Sequence, residues 1–278
     1  MEALPSFRVD ALRCRRDGIC AAVCPVRIIS TTADGLPLVK PEKVERCIQC
    51  GHCMAFCPIQ ACAAPYLSVD GVRYLHKDLY PAPEQMEELV FARRSIRNFR
   101  NKPLPRELFL RILDAVRFAP TGHNRQSLRW IVTSGREDTV RVAEAVVDWF
   151  RQLPETDPDL AEKSHASGIV RQWDSGVDII ARGAPHLAVV AGTGATRVEI
   201  FDAGAALTYF EMIALTHGVG CCWGGFVSHA LMHEAGGAVR EALGIGDTEK
   251  GYSAQLCGYA VHAAISRPER KALRVTWI

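Results

Sequence analysis

The C-terminal three quarters of the chain alternates between stretches of helical hydrophobic spacing and short apolar runs. The helical spacing predicts four helices, over residues 84–94, 105–118, 138–150 and 198–217. The last of them is long and apolar, and Gly218 is predicted to end it as a left-handed cap. In the second of these, one face carries Leu108, Ile112, Ala115 and Val116. The apolar runs predict strands over residues 128–133, 186–191 and 252–264. Because helices and strands are interspersed without a regular βαβ rhythm, the pattern predicts an α+β fold.

The same pattern divides the chain into three parts. Residues 1–65 carry two cysteine-rich runs, which are the one internal repeat of the sequence. Residues 66–83 mix Pro, Gly, Asp and aromatic residues, which is typical of a linker, here with one short hairpin. Residues 84–278 are long enough for a second domain with a sizeable core.

The second cysteine run has the spacing of an iron–sulfur site. Its sequence is C-x2-C-x2-C-x3-C-P and places thiols at Cys47, Cys50, Cys53 and Cys57. This is the run of bacterial ferredoxins, in which three close cysteines hold one cluster and the fourth reaches another. Zinc sites use four ligands per metal at other spacings, so a zinc site or a disulfide framework fits the run poorly.

The first run follows the same template with one change. Asp17 stands where the second cysteine belongs, between Cys14 and Cys20, and Cys24 closes the run before a proline. Crossed ligation predicts one cluster (cluster I) on Cys14, Asp17, Cys20 and Cys57, and another (cluster II) on Cys47, Cys50, Cys53 and Cys24. Carboxylate oxygen is a harder ligand than thiolate and holds iron less tightly. Cluster I is therefore either a four-iron cube with an oxygen ligand or a [3Fe-4S] cluster. A further cysteine, Cys62, fits no ligand position and is expected to be buried.

Composition and charge exclude several classes of protein. The formal net charge is +2 at pH 7, with 48% hydrophobic and 23% charged residues, so neither a nucleic-acid nor a membrane surface is indicated. Residues 1–10 lack the apolar stretch of a signal peptide, and no apolar run reaches the length of a membrane span. Seven of the 11 cysteines belong to the two runs, which favours cluster binding over disulfides and indicates a reducing cytoplasm.

Four short motifs carry the candidate chemistry of the second domain. The segment R-R-S-x-R at 93–97 offers cations and a hydroxyl for a phosphate. The segment A-P-T-G-H-N-R-Q at 119–126 offers amides for the edge of a flat ring, and W-G-G at 223–225 lets backbone approach a ligand. A basic segment, R-P-E-R-K, follows at 267–271.

In this order and spacing, the four motifs resemble the FMN-dependent nitroreductase family, and the joined chain is similar to ferredoxin-fused nitroreductases. The resemblance implies a central, mostly antiparallel sheet flanked by helices, and a homodimer with FMN between the subunits. It implies Arg93, Arg94 and Ser95 near the phosphate and ribityl chain and Arg97 near N1 and O2 of the isoalloxazine. The resemblance also implies polar contacts at the edge of the FMN ring, backbone contacts to the ring and a phosphate ligand near the C-terminus. These contacts come from Thr121, Asn124, Gln126, Gly224, Gly225 and Arg270. Ser127 departs from the family, which usually has Pro there.

These observations predict an oxidoreductase that moves electrons from a low-potential donor through the clusters to FMN and then to a small-molecule electron acceptor, a nitro compound or quinone. Arg197 replaces the third glycine of a G-x-G-x-x-G at 192–197, so no dinucleotide fingerprint is present. No residue is identified as a proton donor. Two alternatives stay open: an electron-transfer flavoprotein module that serves a partner protein, and a reductive dehalogenase or enone reductase on the same scaffold.

Overall fold

The computed structural model describes residues 6–70 and 72–278 and divides into two compact units. One unit extends to Tyr80 and also includes His123–Arg125, and the other comprises Pro81–Gly122 and Gln126–Ile278. The first five residues, on which part of the argument about a signal peptide depends, lie outside the described residues. In the described ranges, no helix is long and apolar enough to cross a membrane.

The N-terminal unit is built from short elements around the two cysteine runs. Antiparallel pairs join β1 (Arg8–Val9) to β4 (Cys62–Ala63) and β2 (Ile29–Thr31) to β3 (Pro37–Val39). Each run turns through a left-handed glycine, Gly18 (φ 76°) or Gly51 (φ 68°), into a one-turn helix that buries its third cysteine position, Cys20 or Cys53. The elements are β1 (Arg8–Val9), α1 (Ile19–Ala22), β2 (Ile29–Thr31), β3 (Pro37–Val39), α2 (His52–Ala55) and β4 (Cys62–Ala63), with 3-10 turns at Pro41–Arg46 and Lys77–Leu79.

The C-terminal unit is organised on a four-stranded antiparallel sheet. Its strands are β5 (Arg129–Val132), β6 (His186–Gly192), β7 (Gly220–Trp223) and β8 (Lys250–Gly258), in the order β5-β6-β8-β7. Its helices are α3 (Pro83–Ala92), α4 (Arg106–Val116), α5 (Arg136–Thr156), α6 (Pro158–Lys163), α7 (Ala166–Asp174), α8 (Glu199–Thr216), α9 (Gly225–Met232) and α10 (Gly237–Ala242).

Alternation along β6 places the sheet between two apolar layers. Leu187, Val189 and Ala191 pack in one core cluster with residues of α5, α7 and α9. Ala188 packs in another, which draws on α4 and α8. Because successive side chains of a strand point to opposite faces, β6 is buried along its whole length.

The observed elements confirm the predicted α+β class and most of the predicted segments. Gly218 has a φ of 72° and follows α8, as expected for a left-handed cap. Three predictions are wrong in detail. Ala115 is exposed, and Phe109 takes the inward position on α4. The strand predicted to reach residue 264 ends at Gly258. The described part of 66–83 has the turn Lys77–Leu79 in place of a hairpin.

Candidate functional site

Two cavities of the N-terminal unit collect the cysteines of the runs in crossed sets. One is lined by Cys47, Cys50 and Cys53 from the second run and by Cys24 from the first. The other is lined by Cys14, Asp17 and Cys20 from the first run and by Cys57 from the second. Since each cavity draws on both runs, the fold brings together the two ligand sets that crossed ligation predicts.

The donor set of these cavities fits iron–sulfur clusters. Burial raises the pKa of Cys20 and of Cys47, and neighbouring thiols raise both further. Thiols with raised pKa values become thiolate ligands only beside a positively charged group, which the irons of a cluster would supply. Within 6–70 and 72–278, no three His, Cys, Asp or Glu side chains are arranged to hold a single metal ion.

Asp17 and Cys62, which both line the cavity of Cys14, Cys20 and Cys57, differ in exposure. Asp17 is exposed, and its Oδ1 accepts a hydrogen bond from the Ile19 amide at 3.1 Å. Cys62 lines the same cavity but is buried, and its thiol donates to the Cys53 carbonyl at 3.0 Å. The burial of Cys62 confirms the expectation for that residue.

A cavity of about 240 Å³ in the C-terminal unit joins two of the four motifs. It is lined by Arg97 and by Gly224 and Gly225 of the turn between β7 and α9. The 93–97 segment is fastened to β7 because the Ile96 amide donates to the Cys221 carbonyl at 2.8 Å. This close approach requires Gly220, where a Cβ would lie 2.8 Å from the Ile96 side chain.

The two adjacent glycines have different surroundings. The Gly224 amide donates to the Ala254 carbonyl at 2.8 Å, and a Cβ at Gly224 would lie 3.2 Å from that oxygen. A Cβ at Gly225 would meet nothing within 4 Å. Gly224 therefore packs the turn against β8, whereas Gly225 leaves backbone open beside the cavity.

The thiol of Cys222 lies among charged groups of this cavity. Burial raises the pKa of Cys222, and the positive charges of Arg97 and Arg182 act in the opposite direction. Both arginines are therefore close to this thiol. Arg182, which the sequence reading passed over, lines the cavity with Arg97.

The other two arginines of the motif line a separate cavity of about 220 Å³. Arg93 forms an ion pair with Glu211, with Nη1 and Oε1 3.1 Å apart. Arg94 donates from Nη1 to the Arg93 carbonyl at 3.4 Å. The structure thus places Arg93 and Arg94 in one cavity and Arg97 in another.

The loop at 119–126 is hydrogen-bonded to its own residues and to distant segments of the same chain. The Gln126 amide donates to Thr121 Oγ1 at 3.1 Å, and the Gly122 amide donates to Asp202 Oδ1 at 3.0 Å. Asn124, which belongs to the N-terminal unit, donates from Nδ2 to the carbonyls of Ile48 and Gln49 at 3.1 and 3.0 Å. In the described chain, the lining of the Arg97 cavity does not include Thr121, Asn124, Gln126 or Arg270.

Arg182 and His229 also line the Arg97 cavity, and neither belongs to the motifs. The sequence carries no signal for Arg182. His229 stands four residues before His233, a spacing that places both near one helix face. The structure separates their roles: His233 accepts from Trp149 Nε1 at 3.2 Å and lies 3.4 Å from Asp157 Oδ2, while His229 lines the cavity.

Two family models match separate regions of the chain. Residues 90–259 match the model described as the nitroreductase family, and residues 6–58 match the model of a 4Fe-4S dicluster domain. Over 68 residues the chain is 38% identical to the formate dehydrogenase iron–sulfur subunit of Wolinella succinogenes, a match of 24% of this chain. The chain spans about a third (32%) of the length of that relative.

Solved structures resemble the C-terminal unit in fold. A nitroreductase with bound FMN from Bacteroides fragilis aligns with a TM-score of 0.59 and 20% identity, over 70% of this chain and 98% of its own. A nitroreductase with bound FMN from Desulfitobacterium hafniense aligns with a TM-score of 0.52 and 20% identity, over 69% of this chain and 97% of its own.

Proposed function

Because this chain belongs to the nitroreductase family of FMN-dependent oxidoreductases and carries a 4Fe-4S dicluster domain, we propose that it passes electrons from two clusters through FMN to a small electrophile. The acceptor class is a nitro compound or a quinone, and the donor is a low-potential electron carrier. One observation carries the proposal: a single chain combines two thiol-lined cavities with a cavity that joins Arg97 to Gly225.

The thiol-lined cavities hold the clusters. Cys47, Cys50, Cys53 and Cys24 bind cluster II, and the mixed set of Cys14, Cys20, Cys57 and Asp17 binds cluster I. Clusters transfer single electrons, whereas bound FMN stores two and supplies them as a pair. The chain therefore converts one-electron input into two-electron output.

The Arg97 cavity would hold the redox end of FMN. Arg97 would stabilise the negative charge that the ring gains on reduction, and the open backbone at Gly225 would let the ring approach closely. Ser95 binds the ribityl chain, and Arg93, assisted by Arg94, binds the phosphate. The ion pair of Arg93 with Glu211 orients that guanidinium.

A second copy of the chain completes this site. Thr121, Asn124, Gln126 and Arg270 do not line the Arg97 cavity of their own chain, and we assign them to the FMN of the partner. Apolar side chains that are exposed on α8 and on the C-terminal segment support a homodimer: Val198, Ile200, Phe201, Tyr209, Ile265, Leu273 and Trp277. We place the homodimer in the reducing cytoplasm on the use of its cysteines.

Substitution of one cluster II cysteine tests the electron path. In Cys50→Ser, cluster II is disrupted, and flavin reduction by a low-potential ferredoxin-type donor is expected to slow at least tenfold in stopped-flow bleaching of the flavin. Dithionite, which reduces the bound flavin directly, serves as the internal control and is expected to act at the same rate in both proteins. If the donor still reduces the flavin at the wild-type rate after loss of cluster II, the proposed path is wrong.

The acceptor half of the proposal has its own test. The reduced protein is mixed anaerobically with a nitroarene, a quinone, a halogenated arene or an enone, and flavin reoxidation is followed. Rapid reoxidation by the first two classes is the expected result. Reoxidation by a redox partner protein alone would instead identify an electron-transfer module.

A further inference from the structure

We propose that the acceptor carries an anionic group, such as a carboxylate, and that Arg182 binds this group in the Arg97 cavity. The inference deepens the proposed function and rests on it, because it names the class of electrophile that the site accepts. It follows from the charge of the cavity lining and from the conformation of the loop that carries Arg182. It also depends on the other arginines that the proposed function assigns to the anionic groups of FMN.

The lining of the cavity is basic and apolar. Arg97, Arg182 and His229 line it together with the apolar side chains of Ile179 and Phe226, and no Asp or Glu of the described chain does so. None of the ion pairs found between the described residues involves Arg97 or Arg182. A concave surface that carries unpaired cations beside apolar walls favours a small anion with an apolar body.

The loop that carries Arg182 is held in an uncommon conformation. Arg182 has a φ of 54° and the following Gly183 has a φ of 76°, so two successive residues are left-handed. Such a conformation costs free energy for a residue with a side chain, and it persists only where the surroundings over-determine it. Positions of this kind are concentrated at ligand sites.

Asp178 supplies the surroundings that hold the loop. Its carboxylate accepts hydrogen bonds from the amides of Ala181 at 2.7 Å and Gly183 at 2.9 Å, and from Arg136 Nη2 at 2.8 Å. Arg136 also donates from Nη1 to the Ala184 carbonyl at 3.2 Å. Burial raises the pKa of Asp178, but these hydrogen bonds and the charge of Arg136 outweigh it, so the pKa lies below the usual value and the carboxylate stays charged.

The hydrogen bonds of Asp178 and Arg136 therefore fix the backbone around Arg182 before any ligand arrives. A backbone fixed in advance lowers part of the cost of ordering the segment on binding. A guanidinium suits a carboxylate, which it binds through two parallel hydrogen bonds. His229, on the second turn of α9, adds a hydrogen-bonding group to the same cavity.

The anionic groups of FMN already have partners elsewhere. The proposed function assigns the phosphate to Arg93 and Arg94 and the reduced ring to Arg97. Arg182 lies on a different segment from all three and is a charge in excess of what the flavin requires. Its ligand is then the molecule that shares the cavity with the flavin, which is the acceptor.

A pair of probes that differ in one charge tests this inference: 4-nitrobenzoate and its neutral methyl ester. Their dissociation constants are measured on the oxidised, FMN-loaded protein from the perturbation of flavin absorbance, so that the measurement does not depend on turnover. In Arg182→Gln, the preference for the acid over the ester is expected to fall roughly tenfold to a hundredfold, the range for loss of a charge-assisted hydrogen bond. Arg182→Lys is expected to give an intermediate preference, because it keeps the charge and loses the fork.

Arg111→Gln is the matched control, because Arg111 is exposed on α4 and does not line the cavity. An unchanged preference in Arg182→Gln, with FMN still bound, overturns the inference. So does equal weakening for both probes together with loss of FMN, which would make Arg182 a flavin ligand. The proposed function fails separately, if wild-type protein with reduced FMN turns over neither probe nor any other electrophile.

Discussion

Tyr252 donates a hydrogen bond of 2.6 Å from its hydroxyl to Oε2 of Glu199 and so joins β8 to the first turn of α8. Glu199 is fully buried and accepts three further hydrogen bonds, from Ser127 Oγ at 2.9 Å, Thr193 Oγ1 at 2.7 Å and the Gly194 amide at 2.9 Å. Burial raises the pKa of Glu199, and the four donors outweigh it, so the pKa lies below the usual value. The buried carboxylate is therefore charged and fully hydrogen-bonded.

The first prediction concerns this hydrogen bond. Tyr252→Phe is expected to lower the free energy of unfolding of the C-terminal unit by about 1.5–3 kcal/mol at pH 7, because a buried carboxylate loses one donor. A carboxyl with a depressed pKa stabilises the fold above its unfolded pKa of about 4.3, and this stability is lost as pH falls through the lower folded pKa. The gap between the two proteins should therefore shrink below about pH 4. Urea unfolding followed by tryptophan fluorescence measures it, with the exposed Tyr66→Phe as control.

The second prediction concerns His186, which is buried between two backbone groups. Its Nε2 accepts from the Leu104 amide at 2.9 Å, so the proton lies on Nδ1 and is donated to the Thr133 carbonyl at 2.8 Å. Burial lowers the pKa of His186, and the bond to Thr133 opposes this in part. The folded protein therefore holds the ring neutral, while the unfolded chain protonates it below about pH 6.5.

The stability contributed by the neutral ring is consequently full above about pH 6.5 and declines as pH falls toward the folded pKa. The difference in free energy of unfolding between wild type and His186→Gln isolates this titration from that of other groups. We expect the difference to favour wild type at pH 7.5 and to narrow at pH 5.5. A difference that does not vary with pH over this range would contradict the assignment.

The third prediction concerns Asp17. An oxygen ligand holds iron less tightly than thiolate, and Asp17 is exposed. Air oxidation is therefore expected to produce a three-iron electron paramagnetic resonance signal from cluster I, with cluster II unchanged. Asp17→Cys should suppress this signal and raise the iron content. Two equally robust four-iron clusters in wild type would show that the lability argument is wrong.

The fourth prediction separates the roles of two arginines. Arg93→Gln removes a charge-assisted phosphate contact, so FMN affinity should fall roughly tenfold or more. Arg97→Gln should retain more FMN but lower its reduction potential, because the reduced ring loses its counter-cation. Fluorescence titration with FMN and a spectroelectrochemical titration measure the two effects. If Arg97→Gln leaves the potential unchanged, the cavity does not hold the ring as proposed.

The fifth prediction concerns assembly. Phe201 lies on α8 with 74% of its surface exposed, so Phe201→Glu should place charges in the proposed interface and yield monomers that retain little FMN. Leu110→Glu, at a residue on α4 that is 57% exposed, is the matched control and should remain dimeric. Sedimentation velocity at micromolar concentration distinguishes the species. Wild-type protein that sediments as a monomer with FMN bound would overturn the dimer.

Local patterns account for the features that the sequence predicts and the structure confirms. Each cysteine run spans about a dozen residues and turns at its own left-handed glycine, Gly18 or Gly51, so its fold depends on residues close together in the chain. The cap at Gly218 and most helices and strands follow from periodicity. The errors lie where packing overrides pattern, as at Phe109, which is buried against α8 and the sheet while Ala115 faces solvent.

The sequence by itself therefore determined the two cysteine runs, the α+β class and the segment that carries Arg97, since each depends on residues close together in the chain. Only the tertiary structure decided that Arg182 joins Arg97, 85 positions earlier, in one cavity. It also placed Arg93, which is paired with Glu211, in a different cavity from Arg97. The physical reason is that these pairings arise from side-chain packing and hydrogen bonds between distant segments, such as the clamp of Asp178 and Arg136, which leave no periodic trace in the sequence.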